Sequence, residues 1–484
     1  MTPEPEQVGG TRAFVPAVEG MRACAAIGVV LTHVAFQTGT AGGVIGRLLH
    51  RFDLAVAVFF ALSGFLLWRG HAAAARGLRH RPPAGHYLRS RLVRIMPAYL
   101  VAVVVILTLL PEANHASPTV WMANLTLTQV YVPLTLTAGL TQMWSLSVEV
   151  TFYLALPLLA FFAYRLPVRA RVPVIAAVAL ASLGWGLLPI HTAEGVNFLN
   201  WPPAYASWFA AGMLLAEWTV SPVGWPHRLA RNPWMIYGIA LVAYLVSASP
   251  LAGPKDLVPA TLGQFAVRTS MGAIVACALL APLVLDRPDT PHRILGSRAM
   301  VTLGRWSYGL FIWHLAALVM VFPMIGKFMF NGDLIVVFVL TTVLGFAMAA
   351  VSYALIESPC RNALRRWEYR RWTVPSPTLR SRRLCTGDDL IGGGTLRQRK
   401  QRRRQCGQCD QREQLHPCGV ADVSIDRAPG VARQQRPGQD QPRRNDGKRP
   451  PVQPASAMQQ ISRAYPGAED DQSTDPGDHG ARRQ

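Results

Sequence analysis

Long apolar stretches follow one another along the first 360 residues, each about as long as the hydrocarbon core of a bilayer is thick. The pattern predicts an all-α, polytopic membrane protein, a bundle of about ten transmembrane helices. Several stretches hold only about 16 to 18 apolar residues, close to the lower limit for a span, so their boundaries are approximate. The predicted spans are residues 16–36, 53–69, 93–110, 146–163, 172–189, 204–219, 234–250, 263–285, 306–326 and 334–356.

Two ionisable residues interrupt the first span. The segment MRACAAIGVVLTHV places Arg22 and His33 in an otherwise apolar helix. Eleven steps of about 100° bring both side chains to one face, about 16 Å apart along the axis. Ionisable groups at membrane depth are costly and mark a functional site by default. Two simpler interpretations remain open: Arg22 anchors the helix end at the headgroups, and His33 bonds a neighbouring backbone.

The distribution of Arg and Lys predicts the orientation of the helices. Basic residues are concentrated in alternate connections, and the other connections hold few of them. Basic loops remain on the cytoplasmic side, so an even number of spans with both termini cytoplasmic is expected, residues 1–15 forming a short cytoplasmic N-terminus. The basic connections contain Arg69 to Arg94, Arg165 to Arg171, Arg228 and Arg231, Arg287 to Arg305, and Arg361 to Arg371.

The composition changes near Pro375, where the apolar pattern stops. We therefore divide the chain into a membrane domain, 16–372, and a tail, 373–484, rich in Arg, Gln, Pro and Gly. The tail lacks the apolar residues needed to offset the entropy of folding and is predicted to be disordered; an out-of-frame end of a GC-rich gene would have the same composition. Its Cys406, Cys409, His416 and Cys418 have zinc-like spacing but no apolar residues around them, so no metal site is expected.

Composition supports a membrane protein. Apolar residues make up 51% of the chain and charged residues 15%, and the formal net charge is +21. In a soluble chain such a charge would suggest nucleic-acid binding, but here cytoplasmic loops account for much of it, and no specific nucleic-acid partner is expected.

An arginine cluster precedes the third span. In HYLRSRLVRIMPAY, Arg91 and Arg94 lie three residues apart on one helix face, with Arg89 beside them. Guanidinium groups bind phosphate through paired hydrogen bonds, so the cluster is a candidate site for a phosphorylated cofactor. Simple anchoring on the cytoplasmic side remains the alternative.

Further polar residues lie in the fourth and ninth spans. QMWSLSVEVTFYL places Trp144 at the interface and Glu149 one to two turns into the helix, where a carboxylate needs a partner. GRWSYGLFIWHL places Ser307 and His314 two turns apart, so that they and Tyr308 could line a common cavity.

These motifs together resemble the acyltransferase type 3 family of integral membrane O-acyltransferases, which includes O-antigen acetylases. The resemblance rests on the spacing of Arg22 and His33 and, in order, on FFALSGFL, RSRLVR, WSLSVE, SYGLFIWH and a final ESP, across residues 16–360. Any one motif is weak, but six in order are highly specific. At the ESP motif, we expect Pro359 to end the last helix.

The resemblance implies transfer of an acyl group, expected to be acetyl, from cytoplasmic acyl-CoA to a hydroxyl of a cell-envelope carbohydrate, a glycolipid or a related small molecule. His33 would be the general base and Glu149 would fix its tautomer or stabilise its imidazolium. Acyl-CoA is then a co-substrate, and no permanently bound cofactor is expected. The predicted cofactor-binding residues are Arg22, Arg89, Arg91 and Arg94, and the predicted substrate-binding residues are Trp144, Ser307, Tyr308 and His314.

The expected setting is the plasma or inner membrane, in contact with the lipid bilayer and with proteins of envelope biosynthesis. Two other classes remain open from the residues alone. A transporter or flippase for a sugar-linked lipid or small solute would also bury His, Arg and Glu, but the halves show no convincing repeat. A non-catalytic membrane scaffold would leave His33 dispensable.

Overall fold

The computed structural model describes residues 15–40, 42–253, 260–286, 290 and 292–373, and the regular structure in these ranges is helical. The α-helices are α1 Pro16–Gln37, α2 Gly43–His50, α3 Ala55–Ala75, α4 Ala84–Leu109, α5 Pro118–Leu125, α6 Met143–Ala163, α7 Val168–Leu183, α8 Ala206–Thr219, α9 Trp225–Ala230, α10 Pro233–Ala248, α11 Leu262–Leu285, α12 Arg298–Met324, α13 Leu334–Ser352 and α14 Ser358–Thr373. Short 3₁₀ turns occupy Arg51–Leu54, Trp185–Leu187, Phe198–Asn200, Pro202–Tyr205 and Pro250–Ala252.

Each predicted span coincides with a helix of this list, which confirms the all-helical fold. Among the described residues, seven segments are long and apolar enough to cross a membrane: Pro16–Gln37, Gly43–Ala75, Ala84–Leu109, Met143–Ala163, Leu262–Leu285, Arg298–Met324 and Leu334–Arg370. The other three predicted spans correspond to the shorter helices α7, α8 and α10, of 16, 14 and 16 residues. A count of ten crossings and the orientation of the termini therefore stay predictions. The predicted tail lies almost wholly outside the described residues.

Helices α3 and α8 cross in direct backbone contact through two glycines. A Cβ atom on Gly64 would lie 2.2 Å from the carbonyl oxygen of Phe209, and one on Gly212 would lie 1.8 Å from that of Ala61. Phe60 packs against Trp208, and further along both helices Trp68 donates to Glu217, so the helices run parallel. Small residues at such crossings allow the close approach that drives helix association in membranes.

Helices α1 and α12 form a second close parallel pair. A Cβ atom on Gly304 would lie 2.1 Å from the carbonyl oxygen of Glu19, and one on Gly20 would lie 2.0 Å from that of Leu295, in the turn that leads into α12. From this contact both helices run in the same direction, α1 toward His33 and α12 toward His314. The pairing therefore brings two histidines together that are 281 residues apart in the chain.

A buried carboxylate joins α3, α7 and α8. Glu217 is fully buried, and its Oε1 accepts hydrogen bonds from the indole of Trp68 at 2.7 Å and from Nε of Arg171 at 2.8 Å. Its Oε2 accepts from Nη1 of Arg76 at 2.6 Å. Two guanidinium groups and one indole thus satisfy the carboxylate, as a buried charge requires. The arrangement agrees with a structural role for Glu217.

The last helix does not end at Pro359. A π-helical turn, Tyr353–Glu357, follows α13, and the chain continues directly into α14 from Ser358. Proline is tolerated in the first turn of a helix, where its missing N–H has no required partner. Pro359 occupies that place in α14. The predicted helix end was wrong because the π turn supplies the change of register that allows the helix to continue.

Candidate active site

His33 and His314 form a contacting pair. Nε2 of His314 lies 3.3 Å from Nδ1 of His33, and the ring centroids are 5.0 Å apart. His314 is fully buried and His33 is partly buried. Sequence analysis placed His314 in a substrate-binding cavity, whereas the structure makes it the neighbour of the predicted base.

Backbone carbonyls define the tautomers of the pair. A carbonyl can only accept, so the 2.8 Å contact between His33 Nδ1 and the Val29 carbonyl assigns the proton to Nδ1 of His33. By the same argument, the 2.7 Å contact of His314 Nδ1 with the Phe311 carbonyl leaves Nε2 of His314 as an acceptor. Nδ1–H of His33 then points to both Val29 and His314. In this assignment Nε2 of His33 carries the lone pair that a general base needs.

A carboxylate that sequence analysis did not select interacts with His33. Asp53, in the turn Arg51–Leu54, interacts electrostatically with His33, as does His50. One oxygen of Asp53 lies 3.6 Å from Nη1 of Arg51, and the other is buried without a hydrogen-bond partner in the described part of the chain. The only available sequence signal was a lone carboxylate just before the apolar FFALSGFL block.

The hydrogen bonds of Glu149 in the described part of the chain go to residues other than His33. Its carboxylate accepts hydrogen bonds from the hydroxyls of Ser63 and Tyr153, the latter at 2.5 Å, and it interacts electrostatically with Arg22 and Arg91. Carbonyls of α1 and α12 contact the Nδ1 atoms of the two histidines, and the expected part of Glu149 in catalysis stays a prediction. The sequence gives no signal for these hydroxyl partners, because they come from another helix and from the next turn of α6.

The predicted arginines divide into two settings. Arg22 is mostly buried, pairs with Glu19 at 3.7 Å and interacts electrostatically with Arg94. Arg91 and Arg94 interact with each other, as expected for residues on one helix face. The guanidinium of Arg89 instead lies 4.6 Å from the ring centre of Trp367, a cation–π contact. The start of α4 and the first third of α1 therefore form one cationic region.

The remaining predicted substrate residues have partners within the fold. The Ser307 hydroxyl donates to the Gly304 carbonyl at 2.8 Å and is fully buried. The Tyr308 hydroxyl donates to the Ile95 carbonyl on α4, also at 2.8 Å. The Trp144 ring packs against Tyr205 with centroids 5.1 Å apart. Their predicted substrate contacts stay predictions.

Comparison with known families places the chain in one of them. A family model described as an acyltransferase domain matches residues 15–357, which include both histidines and the arginine region. The chain belongs to this acyltransferase family. The resemblance inferred from the six motifs is thereby confirmed. The protein is an enzyme that transfers acyl groups, and the transporter and scaffold alternatives receive no support from the comparison.

Curated relatives of the acyltransferase carry consistent names. It is 30% identical over 325 residues to "Acyltransferase MdmB" of Streptomyces mycarofaciens, covering 62% of this chain and 78% of the relative. It is 24% identical over 369 residues to "O-acetyltransferase OatA" of Staphylococcus aureus, covering 72% of this chain and 57% of the relative. "Peptidoglycan O-acetyltransferase OatA" of Listeria monocytogenes is 23% identical over 377 residues, covering 72% and 56%. The acyltransferase thus spans little more than half the length of the OatA proteins. No solved structure shows significant similarity to it.

The family and the apolar helices together describe a multi-pass membrane acyltransferase. Within the described residues, no group of three or more His, Cys, Asp or Glu side chains is arranged to hold a metal ion.

Proposed function

We propose that the protein is a membrane O-acyltransferase that moves an acyl group, in the first instance acetyl, from cytoplasmic acyl-CoA to a hydroxyl of a cell-envelope carbohydrate or related molecule. The observation that carries the proposal is the contact of His33 with His314, because His33 lies on the helix that also carries Arg22. The names of the OatA relatives favour acetyl and an envelope polysaccharide, and the name of MdmB keeps other acceptors open. The plasma or inner membrane is the corresponding location.

The cationic region is suited to the nucleotide end of acyl-CoA. Arg91 and Arg94, with Arg22 behind them and Arg89 at the side, present guanidinium groups to the phosphates. Arg22 lies about 16 Å before His33 along α1. The extended pantetheine arm has about that reach, so its thioester would lie beside His33 while the phosphates remain at the arginines. Glu149 then acts on the arginine side, where it offsets the charge of Arg22 and Arg91.

His33 performs the proton transfers in this scheme. The oxygen of the acceptor hydroxyl attacks the thioester carbonyl as Nε2 of His33 removes its proton. The carbon–sulfur bond breaks, and the CoA sulfur takes that proton back from His33. While His33 is an imidazolium, the lone pair of His314 Nε2 holds its Nδ1–H and Asp53 contributes a favourable negative charge. His314 and Asp53 are therefore positioning residues and His33 is the catalytic one.

The first experiment measures CoA release from acetyl-CoA by the purified full-length protein with a panel of sugar acceptors. We expect turnover by the wild type and loss of turnover in His33→Ala, because His33 is the proposed acceptor of the hydroxyl proton. His314→Ala should retain weak turnover, reduced by about ten- to a hundredfold, because it removes only the group that orients His33. His191→Ala, at an exposed loop position, is the matched control and should behave as the wild type.

Turnover in His33→Ala at the wild-type rate would refute the assignment of the base. Absence of acetyl-CoA turnover and binding in folded wild-type protein would refute acetyl-CoA as the donor. The assay also separates an acyltransferase from a pure transporter, which releases no CoA.

A further inference from the structure

Arg361, at the start of α14, is a guanidinium that the proposed function has not used. It is partly buried, and its guanidinium carbon lies 4.9 Å from the ring centre of Tyr353. Its Nε atom is buried and has no hydrogen-bond partner among the described side chains and backbone. A buried polar atom usually has a partner, so its isolation points to a missing acceptor.

Glu357 interacts both with Arg361 and with arginines of the cationic region. The residue is only 4% exposed, and its carboxylate interacts electrostatically with Arg361, Arg94 and Arg22. These three guanidinium groups come from α14, α4 and α1. One Oε atom of Glu357 is also buried without a hydrogen-bond partner in the described ranges. Three separate helices therefore deliver positive charge to the surroundings of one buried carboxylate.

Positive charge is in excess at these helix ends. Four guanidinium groups face three carboxylates in the described part of the chain, namely Arg22, Arg91, Arg94 and Arg361 against Glu19, Glu149 and Glu357. Uncompensated buried charge is costly, so an excess of cations is expected where an anion binds. The buried Nε atom of Arg91, which also lacks a hydrogen-bond partner in the described residues, supports the same conclusion.

The π turn Tyr353–Glu357 explains how Arg361 reaches this place. Each additional residue in a turn rotates the following helix by about 100° relative to an uninterrupted α-helix. The turn also keeps Glu357 inside the protein while α14 continues past it. Single π turns of this kind occur frequently at functional sites.

We propose that Arg361 is a further donor-binding residue, which contacts a phosphate of the nucleotide part of acyl-CoA together with Arg91 and Arg94. The proposal rests on the proposed function and adds a third helix to its phosphate site. Glu357 is a positioning residue that holds Arg361 toward Arg94. The acyl group and the pantetheine arm do not contact Arg361.

Two acyl donors distinguish a contact with the phosphates from a contact with the thioester arm. Acetyl-CoA carries the nucleotide phosphates, whereas acetyl-pantetheine has the same thioester arm and no phosphate. For Arg361→Ala, we expect the KM for acetyl-CoA to rise about tenfold or more, as for loss of a charge-assisted contact, with kcat within about twofold of wild type. The KM for acetyl-pantetheine should not change. Arg365→Ala, one turn further along α14 at an exposed position, is the matched control and should leave both donors unaffected.

A second variant and a second ligand keep the test independent of folding. Arg361→Lys keeps the charge and loses the guanidinium fork, and should give an intermediate KM for acetyl-CoA. Adenosine 3′,5′-bisphosphate, the nucleotide part of CoA, should inhibit the wild type competitively against acetyl-CoA, with a Ki that rises in Arg361→Lys.

Several outcomes would contradict the phosphate contact of Arg361. An unchanged acetyl-CoA KM in Arg361→Ala, or an equal rise with both donors, would overturn the phosphate contact. An unchanged Ki in Arg361→Lys would overturn it as well. Failure of the folded wild type to use or bind either donor would instead refute acetyl-CoA as the donor, the part of the proposed function on which this proposal rests, so the two failures are distinguishable.

Discussion

Replacement of Glu217 by Gln tests how strongly one buried carboxylate stabilises the helix bundle. The substitution keeps the shape and one acceptor oxygen, but it places an amide against Nη1 of Arg76, which now donates at 2.6 Å. It also leaves Arg171, only 1% exposed, without its counter-charge. Arg76 retains bonds to the Ala72 carbonyl and the Ser221 hydroxyl, and Arg171 retains the Ala163 carbonyl, so charge compensation is the main loss.

The expected cost follows from these contacts. Breaking a buried ion pair by removing one partner destabilises by about 3 to 5 kcal/mol, because the other charge stays buried. A lowering of the thermal midpoint by roughly 5 to 10 °C is the corresponding scale for a large domain. The midpoint is measured from the fraction of monodisperse protein that remains in detergent after heating. Glu194→Gln, at an exposed loop position, is the matched control and should melt as the wild type.

A double-mutant cycle gives the sharper result. If Glu217 and Arg76 act as a pair, Glu217→Gln combined with Arg76→Gln should cost less than the sum of the single substitutions, with a coupling of about 0.5 to 3 kcal/mol. Equal midpoints for Glu217→Gln and the Glu194→Gln control, or additive single effects, would refute the reasoning.

Two further predictions concern packing and the histidine pair. Gly212→Ala should lower the thermal midpoint, by the equivalent of about 1 to 3 kcal/mol or more, because its Cβ would lie 1.8 Å from the Ala61 carbonyl oxygen. The control Gly238→Ala on α10, with nothing within 4 Å of the added Cβ, should melt at or above the wild type, and equal midpoints for the two variants would contradict the tight crossing. Asp53→Asn should lower kcat for acetyl transfer about tenfold, equivalent to about 1.4 kcal/mol, when assayed well below the thermal midpoint, because the His33 imidazolium loses a favourable charge; a wild-type kcat would exclude Asp53 from the mechanism. The thermal midpoint is measured alongside, since the buried Arg51 loses the carboxylate 3.6 Å from its guanidinium.

The helices could be predicted from the sequence because apolar length is a local property. Every predicted span corresponds to a helix, and the place of Arg22 and His33 on α1 followed from helical period alone. The shorter lengths of α7 and α8 were harder to predict, because apolar loop residues beside them extend the hydropathy pattern.

The contacts between helices were harder to predict. Nothing local in the sequence indicates that His314 lies against His33, since the pairing depends on how α1 and α12 pack at Gly20 and Gly304. The sequence analysis predicted that Glu149 acts on His33, whereas the hydrogen bonds to its carboxylate come from Ser63 and Tyr153. The interaction of Asp53 with His33 could not be predicted, because no sequence motif connects the two residues and they interact only electrostatically in the folded protein.

The π turn at Tyr353–Glu357 has a consequence for how this enzyme family is compared. A π turn holds one residue more than the α-helical turn it replaces, so a relative without it would align with a single-residue gap in this region. An ungapped alignment would then equate Arg361 with a residue facing about 100° away. A basic residue at the same column would not be evidence of the same role. The direction in which Arg361 faces depends on the extra residue of the π turn, so the two should be compared together between relatives.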